Sequence, residues 1–158
     1  MNLKNPLGTL RRVWNVLGRL PLGGTVLSHI FSFFVPYTGT IVPKIEELRP
    51  GSVRVRMGDR RRVRNHLSCV HAMAMANLAE AATGLAVGIA LADHQRAILT
   101  GFRIRYLKKA RGSLVGVCRF VLPPDFVEGE LEVEGSVEDS SGQVVASAEA
   151  LWRVGLNR

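Results

Sequence analysis

The chain contains little cysteine: only Cys69 and Cys118 occur among its 158 residues. Two cysteines this far apart do not form the disulfide framework of a small secreted domain, and free thiols suit a reducing cytosol. We therefore predict a cytoplasmic protein. The cysteines and the four histidines also lack the close spacing of metal ligands, so we predict no bound metal.

Acidic residues are also few, since 13 Asp and Glu stand against 21 Lys and Arg, for a formal net charge of +8. This excess of positive charge indicates an anionic partner: nucleic acid, anionic lipid or a small ligand rich in phosphate. The basic residues concentrate at 11–12, 60–64 and 103–111, in runs with almost no aromatic residues. There is no helix-turn-helix pattern and no zinc-ligand spacing. Nucleic-acid binding is therefore the weakest alternative, and a solvated basic surface is the simplest interpretation.

Residues 1–36 are predicted to form a helical extension before the main domain at 37–158. Apolar residues recur at helical spacing over 7–17, and a second apolar segment at 22–35 lies between two prolines. No signal-peptide cleavage site follows the second segment, which is also short for a membrane span. We expect both helices to pack on the domain or on a partner subunit. Contact with a membrane surface is the alternative.

The main domain is predicted to be α+β. Alternating or apolar runs bounded by turn residues indicate strands on both sides of one long helix. The predicted elements are strands at 38–48 and 52–58, a helix at 69–91, and strands at 97–107, 113–122, 130–138 and 143–154. The helix is apolar on all sides, as expected where a sheet covers most of it. We therefore predict a curved antiparallel sheet wrapped around a long central helix.

One carboxylate lies alone within the predicted helix. Between Val70 and Ala92 the only ionisable side chains are His71 and Glu80. A buried charge loses its hydration, so either a partner satisfies Glu80 or its pKa rises. A carboxyl group with a raised pKa is a candidate for acid–base catalysis. The alternative is a structural carboxylate bonded to Asn77, His71 or a backbone group.

Several short motifs, in this order, resemble a known family. They are Pro-Tyr-Thr-Gly at 36–39, Val-Arg-Asn-His-Leu at 63–67, Val-His-Ala at 70–72 and Asn-Leu-Ala-Glu at 77–80. Together with the order of strands and buried helix, they are similar to the hotdog-fold acyl-CoA thioesterases, and especially to the DUF4442 branch of that superfamily. The resemblance implies a hotdog fold from about Pro36 onward.

The resemblance also implies roles for three residues. In these thioesterases an Asn or Gln precedes a backbone donor by seven residues and a carboxylate follows it by eight, as Asn65, Ala72 and Glu80 do here. The Ala72 N–H would polarise the thioester carbonyl. Glu80 would act as general base or as nucleophile, and Asn65 would orient water or substrate. Because amide and carboxylate often come from opposite subunits, a homodimer or a dimer of dimers is implied.

Six further residues are expected to bind substrate, three near the start and middle of the helix and three at a later turn. They are His71, Met73, Thr83, Lys108, Lys109 and Arg111. Met73 adds bulk where many relatives have glycine, and Thr83 stands beside Gly84, where some relatives have threonine. The basic turn could reach the phosphates of coenzyme A.

The predicted function is hydrolysis of an acyl-CoA or acyl-carrier-protein thioester, with no cofactor beyond the coenzyme A of the substrate. Phe102, Ile104 and Tyr106 are expected to line the acyl channel. The alternative is a non-catalytic hotdog module that binds acyl thioesters as a sensor or partner protein, which the missing glycines after His71 favour. For Asn65 the structural alternative is that it only caps the helix or closes the turn before it.

Overall fold

The computed structural model describes residues 13, 14, 16 and 22–156. The helices are α1 (Gly23–Phe34), α2 (Pro36–Gly39) and α3 (Ala72–Ala90), with a short 3-10 helix at Arg61–Val63. The strands are β1 (Lys44–Arg49), β2 (Ser52–Met57), β3 (Gln95–Tyr106), β4 (Leu114–Arg119), β5 (Gly129–Glu138) and β6 (Val144–Leu156). Most of the predicted helix at 7–17 lies outside the described residues, so that helix stays a prediction.

Within residues 22–156, the strands form one antiparallel sheet in the order β1-β2-β4-β5-β6-β3. Bulges interrupt the pairing after Ile45, Leu99 and Val137. The sheet curves around α3, which contacts every strand. The predicted α+β architecture, a curved antiparallel sheet around a central helix, is confirmed.

Small side chains let the sheet approach α3 closely. Leu78 and Ala82 of this helix are completely buried against the sheet. A Cβ added to Gly116 of β4 would lie 2.7 Å from the Leu78 carbonyl oxygen, and one added to Gly135 of β5 would lie 2.8 Å from Thr83 Cγ2. A side chain at either glycine would force the helix off the sheet. These two positions therefore set the distance between helix and sheet.

Helix α1 covers the edge strand β1. Its buried residues are Gly23, Leu27, Ser28 and Phe31. Ser28 Oγ accepts a hydrogen bond from the Ile45 N–H at 2.8 Å and donates one to the Gly24 carbonyl at 2.6 Å. The helix thereby satisfies a backbone donor of an edge strand and shields it from pairing with another chain. The division into an extension at 1–36 and a domain at 37–158 stays a prediction.

The predicted strand at 38–48 is wrong in its first half, because Pro36–Gly39 forms α2 and β1 begins only at Lys44. Pro36 fits the first turn of a helix, where its missing N–H is not needed. The N–H groups of Thr40 and Ile41 then bond to carbonyls three residues earlier, which is helical-turn bonding and not a strand ladder. Pro43 cannot donate to a ladder, and it was the available signal for the later start of the strand.

The other elements predicted within 22–156 are present, with ends shifted by a few residues. The turn between β5 and β6 is held by Asp139, whose Oδ1 accepts hydrogen bonds from the N–H groups of Ser141 and Gln143 at 3.0 Å. Gly142 in the same turn has a φ of 80°, which glycine adopts without strain.

Helix α3 is the one helix among the described residues that is long and apolar enough to cross a membrane. In its most apolar window 67% of the residues are buried inside the fold. The apolar character of α3 is accounted for by its place in the core, since a helix covered by a sheet has little reason to carry polar residues.

Candidate active site

The start of α3 presents a free backbone donor. His71 caps the helix, and its Nδ1 accepts the Met73 N–H at 3.1 Å. The Tyr106 hydroxyl donates to the Ala72 carbonyl at 3.0 Å and so holds this first peptide in place. Among the described residues, no group accepts a hydrogen bond from the Ala72 N–H. This N–H lies at the positive end of a 19-residue helix, where it can bind a carbonyl oxygen that gains negative charge.

Asn65 closes the turn that leads into α3. Its Oδ1 accepts hydrogen bonds from the N–H groups of Leu67 at 2.9 Å and Cys69 at 3.2 Å. The Asn65 N–H donates to the Cys69 carbonyl at 2.8 Å, and the His71 N–H to the Val63 carbonyl at 2.7 Å. The side-chain oxygen of Asn65 is therefore committed to the loop. A role in orienting water or substrate would fall to its Nδ2 group, and that role stays a prediction.

Glu80 borders an apolar cavity of about 210 Å³. Side chains from α1, α3, β3 and β6 line this cavity with it, among them Phe31, Phe34, Leu85, Ala97 and Trp152. Among the described residues, no donor or cation pairs with the Glu80 carboxylate. Burial raises the pKa of Glu80, because the ionised form loses hydration and gains no partner in exchange. The structural alternative was a carboxylate bonded to Asn77, His71 or a backbone group, and among the described residues no such bond is present, since Asn77 donates to the Tyr37 carbonyl and His71 accepts from Met73.

The wall of this cavity depends on a glycine. Gly84, one helical turn after Glu80, has no side chain, and a Cβ there would lie 3.0 Å from Trp152 Cη2 and 3.6 Å from Glu80 Oε1. The indole ring and the carboxylate therefore lie on the same patch of the helix. Trp152 is 7% exposed, and its Nε1 has no hydrogen-bond partner among the described residues. Buried donors are normally paired, so the unpaired Trp152 Nε1 is an exception in the wall of this cavity.

Ala72 and Glu80 do not meet within one chain. They are eight residues apart on a continuous helix, so about 12 Å separates them along the axis. The Glu80 side chain leans toward the start of the helix, but this closes only part of the gap. The Ala72 N–H and the Glu80 carboxylate of one chain are therefore not in direct contact.

The predicted substrate-binding residues around α3 fall in different environments. His71 is exposed and caps the helix, and Met73 is 57% exposed at the helix start. Thr83 is fully buried on the side of α3 that faces Gly135, and its hydroxyl donates to the Glu80 carbonyl at 3.0 Å. Thr83 is therefore placed in the helix–sheet contact and does not line the cavity beside Glu80.

The structure brings the two basic loops together beside the start of α3. The Val70 N–H donates to the Ala110 carbonyl at 2.9 Å, and Asp59 accepts hydrogen bonds from both Arg64 at 2.7 Å and the Gly112 N–H at 3.0 Å. The Arg64 partner is the main cause that lowers the pKa of Asp59. The segments 60–64 and 108–111 therefore form one basic surface.

Of the three basic residues predicted at the turn, Lys108 is already engaged. Its Nζ pairs with Asp139 at 2.8 Å and also bonds to Gln143, and this pairing lowers the pKa of Asp139. Lys109 and Arg111 are exposed. The latter two are better placed to bind a phosphate.

Sequence reasoning missed the contribution of α1 to the site. The expected channel residues Phe102, Ile104 and Tyr106 do not line the cavity beside Glu80, whereas Phe31 and Phe34 do. The helical spacing of the apolar segment at 22–35 predicted a packed helix, but no local signal placed its aromatic residues near Glu80. As for metals, no group of three or more His, Cys, Asp or Glu side chains within the described ranges could hold an ion.

These observations define the class: a curved sheet around a buried helix with an open N-terminus is the hotdog fold of thioesterases. Residues 23–154 match the family described as "Domain of unknown function (DUF4442)", and the chain belongs to this family. No curated protein sequence matches the chain.

Several solved structures share this fold. A structural-genomics target is 29% identical with a TM-score of 0.82, over 94% of this chain and 99% of its own. A Pseudomonas aeruginosa protein described as of unknown function and a probable thioesterase is 23% identical with a TM-score of 0.74, over 84% of this chain and 96% of its own. A Staphylococcus aureus thioesterase is 12% identical with a TM-score of 0.67, over 75% of this chain and 98% of its own.

Proposed function

We propose that this protein hydrolyses acyl thioesters, with Glu80 as the catalytic carboxylate and the Ala72 N–H as the oxyanion donor. The observation that carries the proposal is the state of Glu80: it borders an apolar cavity, has no partner among the described residues, and has a raised pKa. An unpaired, half-buried carboxylate lowers stability, so its presence is best explained by chemistry.

In the proposed reaction, ionised Glu80 accepts a proton from a water molecule whose oxygen attacks the thioester carbonyl carbon. The carbonyl oxygen becomes negatively charged and accepts a hydrogen bond from the Ala72 N–H. The carbon–sulfur bond then breaks, the thiolate leaves, and the proton held by Glu80 passes to the sulfur. Direct attack by the carboxylate, through an anhydride that water then cleaves, is the alternative course.

The proposal includes a homodimer, in which the Ala72 N–H of one chain faces Glu80 of the other, since the two groups lie about 12 Å apart along α3 of one chain. A second copy would supply one of the two groups to each site. The strand β3 supports such an assembly, since it is a 12-residue edge strand with exposed Ile98 and Tyr106. Pairing through this edge would satisfy its unpaired backbone groups. A dimer of dimers would build on the same contact.

The spacing in a relative supports the choice of residues. Two structures of the Staphylococcus aureus protein carry alanine in place of a glutamine and of a glutamate, and these lie fifteen residues apart. Asn65 and Glu80 are separated by the same interval. We therefore retain Asn65 in the proposed site, with its Nδ2 group as the part that meets water or substrate.

The proposed substrate is an acyl-CoA or an acyl-carrier protein, and the proposed location is the cytoplasm. Both carriers present a phosphate group, and the basic surface at 60–64 and 108–111 lies beside the start of α3. The two buried, free cysteines, Cys69 and Cys118, suit a reducing compartment. No cofactor is needed for water to attack a thioester.

A second candidate is a module that binds acyl thioesters without cleaving them. The hydrogen bonds of Asn65 favour it, because Leu67 and Cys69 occupy the oxygen that could otherwise orient water. The bulk of Met73 at the helix start favours it as well, since this side chain is 57% exposed where a substrate must approach.

The test is release of free thiol from a panel of acyl-CoAs, with the wild type beside Glu80→Gln. Turnover in the wild type that falls at least about a hundredfold in the variant supports the proposed enzyme. Equal turnover in both proteins removes Glu80 from the mechanism. Saturable binding of acyl-CoA by a folded protein that releases no thiol at any chain length establishes the binding module instead.

A further inference from the structure

The outward side of α1 and the segment after it carry exposed apolar side chains. Leu22, Val26 and Phe33 are 71%, 45% and 79% exposed, and intervals of four and seven residues place them on one side of the helix. Tyr37 and Val42, which follow, are 69% and 53% exposed. We call these five residues the α1 apolar face.

The sequence around this face carries no negative charge. No Asp or Glu precedes Glu46, and no Lys or Arg occurs over 22–43. The basic residues that flank this apolar stretch are Lys4, Arg11, Arg12, Arg19 and Lys44. An apolar helix whose nearest charged residue on each side along the chain is positive has a composition that suits the surface of a membrane with anionic lipids.

Tertiary structure adds arginines from a distant part of the chain. Arg60 donates a hydrogen bond from Nη2 to the Ile41 carbonyl at 2.5 Å, which brings the 60–62 segment beside Tyr37 and Val42. Arg62 borders the same cavity as Tyr37, and Arg61 and Arg62 are exposed. The apolar face therefore has a basic rim that the linear sequence does not show.

A row of exposed acidic residues lies on another surface. Glu130, Glu132 and Glu134 alternate with buried residues of β5, so they lie on the side of the sheet turned away from α3. Helix α1 instead lines a cavity with α3, on the opposite side of the sheet. This separation of charge would orient the molecule with α1 toward an anionic surface.

We propose that the α1 apolar face docks on an anionic phospholipid bilayer. Val26 and Phe33 enter the boundary between headgroups and acyl chains, while Arg61 and Arg62 contact the phosphates. Phe31 and Phe34 of the same helix line the cavity beside Glu80, so the docked helix is also a wall of the proposed site. The docking itself does not depend on thioester hydrolysis and is measured without any thioester.

The experiment is co-sedimentation of the full chain with vesicles of phosphatidylcholine alone and of phosphatidylcholine mixed with phosphatidylglycerol. We expect binding to the mixed vesicles that weakens as salt is added. The double variant Val26→Ser, Phe33→Ser should lower the partition coefficient by about tenfold or more. Arg61→Ser with Arg62→Ser should lower it by about fivefold for each charge removed. Val121→Ser is the matched control, because Val121 is 88% exposed in the loop between β4 and β5.

Four outcomes overturn the proposal. One is a folded wild-type protein that does not sediment with anionic vesicles at low salt. Another is a loss of binding with Val121→Ser as large as with the α1 variants, which would mean that the α1 apolar face is not the specific contact. No loss with the α1 variants would also overturn it, since binding would then rest on general charge attraction. The fourth combines two results: the wild type does not bind lipid, and the Val26→Ser, Phe33→Ser variant has a different oligomeric mass from the wild type. This result would assign the α1 apolar face to contact with a second copy of the chain.

Discussion

Trp152 of β6 packs against Gly84 of α3 so closely that a methyl group on Gly84 would lie 3.0 Å from the indole Cη2 atom. The same methyl group would lie 3.6 Å from Glu80 Oε1. The absence of a side chain at Gly84 therefore keeps open the place where the indole, the carboxylate and the cavity meet.

We expect Gly84→Ala to narrow this cavity. Alanine in place of a helical glycine raises the free energy of unfolding by about 1 kcal/mol, because alanine has the higher helix propensity. Displacing the packed Trp152 ring lowers it by about 1–3 kcal/mol. We therefore expect a net loss of about 1 kcal/mol. Turnover of the longest acyl chains should fall more than that of short ones. Gly155→Ala, whose added Cβ meets nothing within 4 Å, is the control. An equal fall for all chain lengths would show that the acyl group does not enter this cavity.

Ala72→Pro removes the proposed oxyanion donor with little strain. Ala72 is the first residue of α3, where proline is favoured, and the ψ of 139° at His71 is compatible with a following proline. We expect unfolding free energy to change by less than about 1 kcal/mol and kcat to fall by about 10²–10³-fold. A stable variant with full activity would exclude the Ala72 N–H from the mechanism.

Mixing two inactive variants tests the shared site. If each site uses Ala72 of one subunit and Glu80 of the other, a dimer of Glu80→Gln with Ala72→Pro contains one intact site. Random exchange of subunits should then restore about a quarter of wild-type activity, since half of the dimers are mixed and each has one of two sites. No recovery after subunit exchange, confirmed by native mass spectrometry, would contradict a site built from two chains.

The raised pKa of Glu80 gives two dependences on pH. As a base, Glu80 must be ionised, so kcat/KM should rise with pH at a midpoint above the ordinary glutamate value and then level off. Stability should move the other way. The folded state holds the Glu80 proton more tightly than the unfolded state does, so wild-type stability falls as pH rises from the ordinary to the raised pKa.

Glu80→Gln lacks this titration. It should therefore gain stability relative to the wild type across the same interval and keep a constant advantage above it, as measured by urea unfolding at a series of pH values. Parallel stability curves for the two proteins would mean that the pKa of Glu80 is the same in the folded and unfolded states.

The basic turn should recognise the carrier and not the acyl group. Lys109→Ser with Arg111→Ser should raise KM for acyl-CoA by about tenfold and leave KM unchanged for the same acyl group on N-acetylcysteamine, which has no phosphate. Lys108→Ser should raise the KM for acyl-CoA by less than the double variant does, because Lys108 is already paired with Asp139. Equal effects of the double variant on both thioesters would place these residues outside carrier recognition.

Sequence reasoning was strongest where periodicity is local. The alternating runs and the long apolar helix predicted the order of elements from β1 to β6, because burial on one face of a strand or around a whole helix imposes a repeat on neighbouring residues. It failed at α2, where hydrogen bonds of Thr40 and Ile41 to nearby carbonyls outweighed strand propensity. The isolation of Glu80 in an apolar stretch could be recognised from the sequence, because it depends only on the residues next to Glu80 along the chain and not on its partners in space.

The sequence by itself determined the buried helix, the strands on either side of it, the basic loops and the solitary carboxylate at Glu80. Tertiary structure decided what surrounds that carboxylate: Phe31 and Phe34 arrive from α1 and Trp152 from β6, across separations that no local repeat encodes. It also decided that the side-chain oxygen of Asn65 accepts hydrogen bonds from its own loop. The helical conformation of α3 places Ala72 and Glu80 about 12 Å apart along its axis. Periodicity reports which side of an element is buried, whereas the partners on that side depend on how distant elements pack.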